Sequence, residues 1–406
     1  MSVKALFAVL FLSLTSARGQ GVGEVLPPWA PGMLDIHRIS TGKGDAVLYV
    51  FPDGTSMLVD PGATSRQGPR VTAQRPDSSR TPGEWVVRYV KRMLPGQSLD
   101  YAFVTHFHGD HMGDYFPKSG MSASGKYRLT GITEAGEHIP IRKLLDRDSP
   151  DYNYPEPLKG SMMENYRAFL AWQSTQRGMK VERFQPGRND QIVLLKEPRK
   201  YAEFEVRNVA ANGEIWTGVG TVTRRHFPPL ADVPPQDRPS ENMCSAAFRL
   251  SYGKFDYFSG GDITGLPDQG APLWHDVETP VAKAVGPVDA AVLNHHGYID
   301  TQNAFFVSAL RPRVHVFSVW SPGQPCPRVL GRLLSTRLYP GPRDIFATNM
   351  TEANKIVVAN LSRLKSEHGH ILIRVEPGGA RYHVIILDDA AETYKVTAVH
   401  GPYESM

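Results

Sequence analysis

Short apolar runs open the chain: Leu34 to Ile39, Ala46 to Phe51 and Met57 to Val59, parted by Gly-rich or Asp-Gly turns. Runs of this length between turn residues predict strands, so the chain begins as a sheet. Thr81-Pro82-Gly83-Glu84 then supplies an N-cap, a proline at the first helical position and the glutamate of a capping box. Val86, Tyr89, Val90, Met93 and Leu94 follow at helical spacing, which predicts an amphipathic helix that ends at Pro95-Gly96. Tyr101 to Thr105 is short and apolar and predicts a buried strand.

From about 116 to 201 the pattern loosens, and the stretch reads as an insertion of loops and helix. One helix is predicted near Met163 to Arg177, with Tyr166, Phe169 and Leu170 on one face and Gly178 as its C-terminal cap. Strands resume at Phe204 to Ala210, Ala247 to Tyr252, Phe255 to Ser259, Ala290 to Leu293, Val314 to Trp320, Ile371 to Val375 and His383 to Leu387. Helices are predicted at Asn303 to Leu310 and Glu352 to Lys365. Five prolines between His226 and Ser240 predict a stiff loop without regular structure. The pattern is that of an α+β fold, two sheets packed together with helices outside, formed by residues 20–406 as one domain.

The first 19 residues stand apart. Lys4 gives a positive start, Ala5 to Leu14 is almost wholly apolar, and Ser16, Ala17 and Gly19 are small, which predicts a secretory signal cleaved after Ala17 or Gly19. The apolar run is short of the roughly 20 residues a bilayer span needs, and no later run is long enough, so an exported, periplasmic or secreted protein without a membrane span is expected. Lys4 and Arg18 are among 45 basic residues set against 41 acidic ones, so their loss lowers the formal charge from +4 to +2. That balance argues against a stable nucleic-acid complex held by charge. Cys244 and Cys326 are the only cysteines; they form one bridge or remain two buried thiols, and any metal site must rest on His and carboxylates.

Candidate chemistry concentrates directly after the Tyr101 to Thr105 strand. His106-Phe107-His108-Gly109-Asp110-His111 holds three imidazoles and a carboxylate in six positions. In extended backbone His106 and His108 point to the same side and can share one ion, while a turn at Gly109 lets Asp110 and His111 reach a second. Imidazole nitrogen and carboxylate oxygen suit Zn or Mn.

This His-x-His-x-Asp-His run resembles the signature of the metallo-β-lactamase superfamily. The resemblance implies an αββα sandwich with up to two metals at one edge of its sheets. Val59-Asp60-Pro61-Gly62 resembles the family's early aspartate, Gly260-Gly261-Asp262 its bridging carboxylate and His295-His296-Gly297 its last histidine. The resemblance implies Asp262 and His295 as further metal ligands, Asp60 as an anchor of the His-rich loop, and His296 as a group that orients substrate, donates a proton or supports a ligand. Gly42-Lys43-Gly44-Asp45, Pro52-Asp53-Gly54 and the His-His-Gly triplet resemble in particular the nuclease-domain branch of the ComEC-type competence proteins, here as a stand-alone relative. One departure is visible: where much of the family carries a third histidine for the first metal, this chain has Glu241-Asn242-Met243-Cys244-Ser245, so Asn242 offers only an amide oxygen and that metal is expected to bind more weakly.

The activity implied is metal-assisted hydrolysis of a phosphodiester, in a small molecule or a nucleic acid, with two divalent cations and with Asp110 orienting the attacking water. The same donors would also serve an ester, lactone or amide hydrolase, or a protein that retains metal with little turnover.

Overall fold

The computed structural model describes residues 21–267 and 270–406; the expected leader lies outside them. Six strands come first: β1 (Leu34–Arg38), β2 (Val47–Val50), β3 (Ser56–Val59), β4 (Leu99–Val104), β5 (Ile141–Asp146) and β6 (Lys180–Arg183). Eight follow as a second sheet: β7 (Phe204–Ala211), β8 (Glu214–Trp216), β9 (Thr223–Arg225), β10 (Ala247–Tyr252), β11 (Phe255–Ser259), β12 (Ala290–Val292), β13 (Val314–Phe317) and β14 (Asp344–Ala347). The chain then returns to the first sheet through β15 (His370–Val375), β16 (Arg381–Leu387) and β17 (Val396–Glu404). The orders are β17-β16-β15-β1-β2-β3-β4-β5-β6 and β14-β13-β12-β11-β10-β7-β8-β9, both mixed parallel and antiparallel.

The period-2 alternation of the strands sorts their side chains into layers. Tyr49, Met57, Val59, Tyr101 and Phe103 of the first sheet share a core with Phe248, Leu250, Tyr257, Val292 and Val316 of the second. Their sequence neighbours Leu48, Val50, Leu58, Ala102 and Val104 face the other way, onto helices. Those helices are α1 (Pro82–Met93), the short α2 (Gly109–Met112), α3 (Gly131–His138) and α4 (Ser161–Arg177). On the far face of the second sheet, α5 (Glu278–Val285) and α6 (Ala304–Leu310) cover Val209, Phe258 and Ala291, and α7 (Pro327–Leu333) covers Phe317 and Ile345; α8 (Glu352–Val357) follows. The fold is thus mixed α and β, two face-to-face sheets with helices on their outer faces. No helix among the described residues is long and apolar enough to cross a membrane.

Local chemistry explains the clearest elements. Thr81 Oγ1 accepts from Glu84 N at 3.0 Å while the Glu84 carboxylate accepts from Thr81 N at 3.1 Å, so the capping box forms, and Trp85, Val86, Tyr89 and Val90 are buried beneath it. Gly178, at φ 69°, ends α4 in the left-handed conformation that a side chain disfavours.

Three expectations need correction. The stretch 116–201, read as loops and helix, also contains strands: β5 and β6 pair in parallel with β4 and with each other at one edge of the first sheet. Exposed Arg142 interrupts the apolar pattern of β5, and β6, the edge strand, carries Lys180, Glu182 and Arg183, as befits an edge that must not pair with another chain. The predicted helix from Glu352 to Lys365 stops at Val357, since Asn360 sits at φ 67° and breaks the turn into a short 3-10 segment, Leu361–Arg363. The proline-rich loop contains two 3-10 turns, Leu230–Asp232 and Pro235–Asp237, a conformation that proline's fixed φ permits. Cys244 and Cys326 are both buried free thiols.

Candidate metal centre

The topology brings the motifs together. β3 and β4 are parallel, pairing Val59 with Phe103, so Asp60 and Thr105 leave the same end of the first sheet side by side. β11 and β12 are also parallel, pairing Phe258 with Ala291, so Gly260-Gly261-Asp262 and Asn294-His295-His296 emerge together from the second. Ala246 N donates to Thr105 O at 2.9 Å and ties the two ends across the core. Four strand ends from two sheets therefore meet at one edge.

Glycines allow the close approach. A Cβ at Gly62 would overlap the Asp110 carbonyl, and one at Gly109 would overlap the Asp114 carboxylate. His108 adopts extended backbone and α2 starts after it, so the run turns between His108 and His111 as the glycine suggests.

Two donor sets share one carboxylate. His106, His108 and Asp262 form the first; Asp110, His111, His296 and Asp262 form the second, and within each set the donor atoms lie within 4.8 Å of one another. His106 Nε2 is 3.2 Å from His108 Nδ1 and 3.7 Å from Asp262 Oδ2. His111 Nε2 is 3.3 Å from His296 Nε2 and 3.2 Å from Asp262 Oδ1, while His296 Nε2 is 3.2 Å from Asp110 Oδ2. Ligands about 2.1 Å from a tetrahedral ion stand about 3.4 Å apart, so these spacings fit a small divalent cation. The donor types fit as well, and three of the residues, His106, His111 and Asp262, are almost wholly buried.

The charges favour the same conclusion. Burial pushes the Asp262 carboxyl up, but His111, His296, His295 and His106 around it hold it well below the ordinary carboxylate range. Burial drives the His106 imidazole well down, helped by the charge on His111, so it is neutral and free to ligate. Burial also opposes charge on His111, yet Asp262, Asp60 and Asp110 raise it well above the usual imidazole value. A proton there holds the carboxylates together, and a cation can take its place.

Asp60 fixes this arrangement from below. Its carboxylate accepts from Thr105 N at 2.8 Å, from Thr105 Oγ1 at 2.6 Å and from His111 Nδ1 at 2.9 Å, which leaves His111 Nε2 to face Asp262 and His296. Asp60 holds φ 47°, a conformation that aspartate tolerates better than most residues.

His295 is not where the resemblance puts it. The chain leaves β12 at Val292, and His295 and His296 both take left-handed backbone, φ 45° and 53°, in place of the extended run that would alternate them. His296 turns into the second donor set, 3% exposed. His295 instead donates through Nδ1 to Asp300 Oδ1 at 2.8 Å, with Nε2 3.9 Å from Asp262 Oδ2. Burial lowers the His295 imidazole, but Asp262 and Asp300 raise it to about 9. His296 thus stands among the clustered donor atoms and His295 outside them, the reverse of the order the resemblance implies.

Asn242 lies against this outer histidine, Nδ2 3.3 Å from His295 Nε2, while its buried Oδ1 has no hydrogen-bond partner. A half-turn of the amide would set that oxygen on the protonated ring and satisfy both groups. Asn242 is held from its neighbour Glu241, whose carboxylate accepts from Phe107 N at 2.7 Å and from the buried Arg147 through both Nε (2.8 Å) and the terminal nitrogen (2.5 Å).

The sequence motifs give no role to Asp45, Asp300, Glu241 or Glu278, which the structure places at or beside the site. Asp45 forms a further acidic group with Asp60 and His111, and is paired with the buried Arg38 at 2.5 Å. Its place in Gly44-Asp45-Ala46, a polar residue entering a buried strand, was the available signal. Glu278 is wholly buried under the His295–His296 turn, accepting from Asn294 Nδ2 at 2.6 Å and from Gln302 N and Asn303 N at 2.7 Å each. Burial pushes its carboxyl up to about 8. Nothing in the sequence marks it out, because its partners, Asn294 and the pair Gln302-Asn303, lie 16 to 25 residues away in two other segments.

No protein-family model matches the chain, and no curated protein matches its sequence. Among solved structures, a proposed metal-dependent hydrolase of Parabacteroides distasonis ATCC 8503 aligns with TM-score 0.35 and 13% identity, covering 77% of this chain and 92% of that one. A protein of unknown function from Enterococcus faecalis V583 aligns with TM-score 0.31 and 8% identity, covering 82% of this chain and 73% of that one. Likenesses this remote bear on neither the chemistry nor the substrate.

Proposed function

We propose that this chain is a two-metal hydrolase of the metallo-β-lactamase kind, acting on a phosphodiester. The observation that carries the proposal is the pair of donor sets joined by Asp262. Divalent cations held there, Zn or Mn by donor type, would supply Lewis acidity and a hydroxide at neutral pH. His106 and His108 would hold one, Asp110, His111 and His296 the other, with Asp262 between them. Asp110, whose side chain is 13% exposed, is the most open of the second set and is placed to accept a hydrogen bond from the attacking water. His295 lies beside Asp262, Nε2 3.9 Å from Oδ2, and Asn242 lies against His295 on the outer side of the donor sets.

The phosphodiester assignment is supported by a site able to neutralise an entering and a leaving oxygen together, and by the resemblance of Gly42-Lys43-Gly44-Asp45 and His295-His296-Gly297 to the competence-nuclease branch. Export belongs to the same proposal, supported by Lys4, the apolar run from Ala5 to Leu14 and the small residues after it. The test is Mn- or Zn-reconstituted protein assayed on bis(p-nitrophenyl) phosphate, beside Asp262→Ala. Retained metal with hydrolysis that Asp262→Ala abolishes is the expected result. Failure to retain metal would end the proposal, and turnover of lactones or esters alone would replace the substrate class.

A further inference from the structure

We propose that the cavity behind the metal loop binds one alcohol arm of the substrate, a short arm carrying a hydrogen-bond donor, either hydroxyl or ammonium. The proposal rests on the phosphodiester reading above and adds a substrate class to it. The cavity holds about 420 Å³, an order of magnitude above a single water's roughly 30 Å³. Its wall is the back of the metal loop: Ala63 N donates to Gly109 O and Asp114 N to Ala63 O, both at 3.0 Å. Two packed side chains connect it to the donor sets. The Trp320 ring stands edge-on to His296, centroids 6.3 Å apart, and the Arg66 guanidinium lies 5.3 Å over that same ring and lines the cavity beyond.

The two ends of the cavity differ in charge. Near the metal loop, Lys43 reaches in with a single hydrogen bond, from Nζ to Arg66 O at 3.3 Å, so two of its three donors are open. Together with Arg66 it outweighs the Asp114 carboxylate, which accepts from Ser65 N and Oγ, and leaves the near end with an excess of positive charge suited to a phosphate. At the far side Glu134 is 3% exposed and also lines the cavity. Its Oε2 accepts from Thr81 Oγ1 at 2.7 Å; its Oε1 accepts no hydrogen bond, and no Lys, Arg or His lies within 4 Å of it among the described residues. That oxygen is not sealed off from solvent, so water or a ligand's donor can complete it. An arm that runs from a phosphate at Lys43 and Arg66 to a donor on Glu134 satisfies both ends, whereas an aromatic or alkyl arm satisfies only one.

Metal-free full-length protein is titrated by calorimetry with glycerol 3-phosphate and with phosphoethanolamine. Metal-loaded protein is assayed on sn-glycero-3-phosphoglycerol, sn-glycero-3-phosphoethanolamine and bis(p-nitrophenyl) phosphate. At least one of the two monoesters should bind, about tenfold more weakly to Glu134→Met and to Arg66→Ala, and the matching diester should show the lower KM. Glu134→Gln should weaken an ammonium arm more than a hydroxyl arm and so tells the two apart. Arg66 is exposed, so Arg66→Ala keeps the test alive if the Glu134 variants do not fold. Absence of binding by both monoesters, or binding unchanged in Glu134→Met, overturns the proposal even where bis(p-nitrophenyl) phosphate is hydrolysed. Monoester binding sensitive to both residues supports the cavity even where hydrolysis fails, which would count against the hydrolase reading alone.

Discussion

Replacing Asp60 by Asn should weaken metal binding by 10- to 100-fold without unfolding the protein. In the natural chain Asp60 accepts the proton on His111 Nδ1, so Nε2 is the open donor. Asparagine can still accept from Thr105 N, but its amide nitrogen then faces His111 Nδ1 and makes that atom an acceptor. The ring proton moves to Nε2, the atom 3.2 Å from Asp262 and 3.3 Å from His296, where it blocks ligation. Loss of such a supporting partner typically costs about 10- to 100-fold in metal affinity, or about 1.4 to 2.7 kcal/mol. The fold should tolerate the change, because Asn accepts the φ of 47° at this position and burial already raises the Asp60 carboxyl, so a neutral group is not disfavoured there. Competition between metal-free protein and a chromophoric chelator for Zn measures the affinity, and thermal melting checks the fold. An affinity within threefold of the natural protein, with an unchanged melting temperature, would refute the reasoning about His111.

His296→Ala should remove the tighter binding step, whereas His295→Ala should leave two-step binding in place, as calorimetry with Zn can show; the opposite ranking would restore His295 as the ligand. Arg147→Met should destabilise the protein by about 3 kcal/mol in urea unfolding, because it leaves Glu241 without its buried partner, and a loss under about 1 kcal/mol would contradict that. Burial, aided by Arg343 and His37 respectively, lowers His315 and His370 from 6.5 to about 3. Such groups leave stability full above pH 6.5 and reduce it as pH falls toward 3, because folding then opposes their protonation. His370→Gln, which can still accept from Ser40 N, should therefore show a shallower fall in urea midpoint between pH 6 and 4 than the natural chain.

Elements set by local chemistry were legible in the sequence. α1 could be read from its capping box and apolar spacing, and the metal loop from a density of imidazoles that a surface loop does not require. β5 and β6 were not legible, because Arg142 and Lys143 interrupt the apolar run of β5 and β6, at the sheet edge, is mostly Lys, Glu and Arg. The placement of His295 and His296 was hidden for another reason: strand alternation is a rule for extended backbone, and both residues are left-handed. Asp45 and Glu278 acquire their roles only through tertiary contacts, Asp45 beside His111 and Glu278 beneath Asn294, Gln302 and Asn303. No spacing rule joins such partners.

The central claim is that Asp262 joins two cation sites. Crystals of the protein soaked in Mn or Zn and measured at the metal's absorption edge test it directly. Two anomalous peaks about 3.5 to 4 Å apart are predicted, one bound by His106, His108 and Asp262, the other by Asp110, His111, His296 and Asp262. A map without peaks at these residues, or with metal on His295 and none on His296, would contradict it.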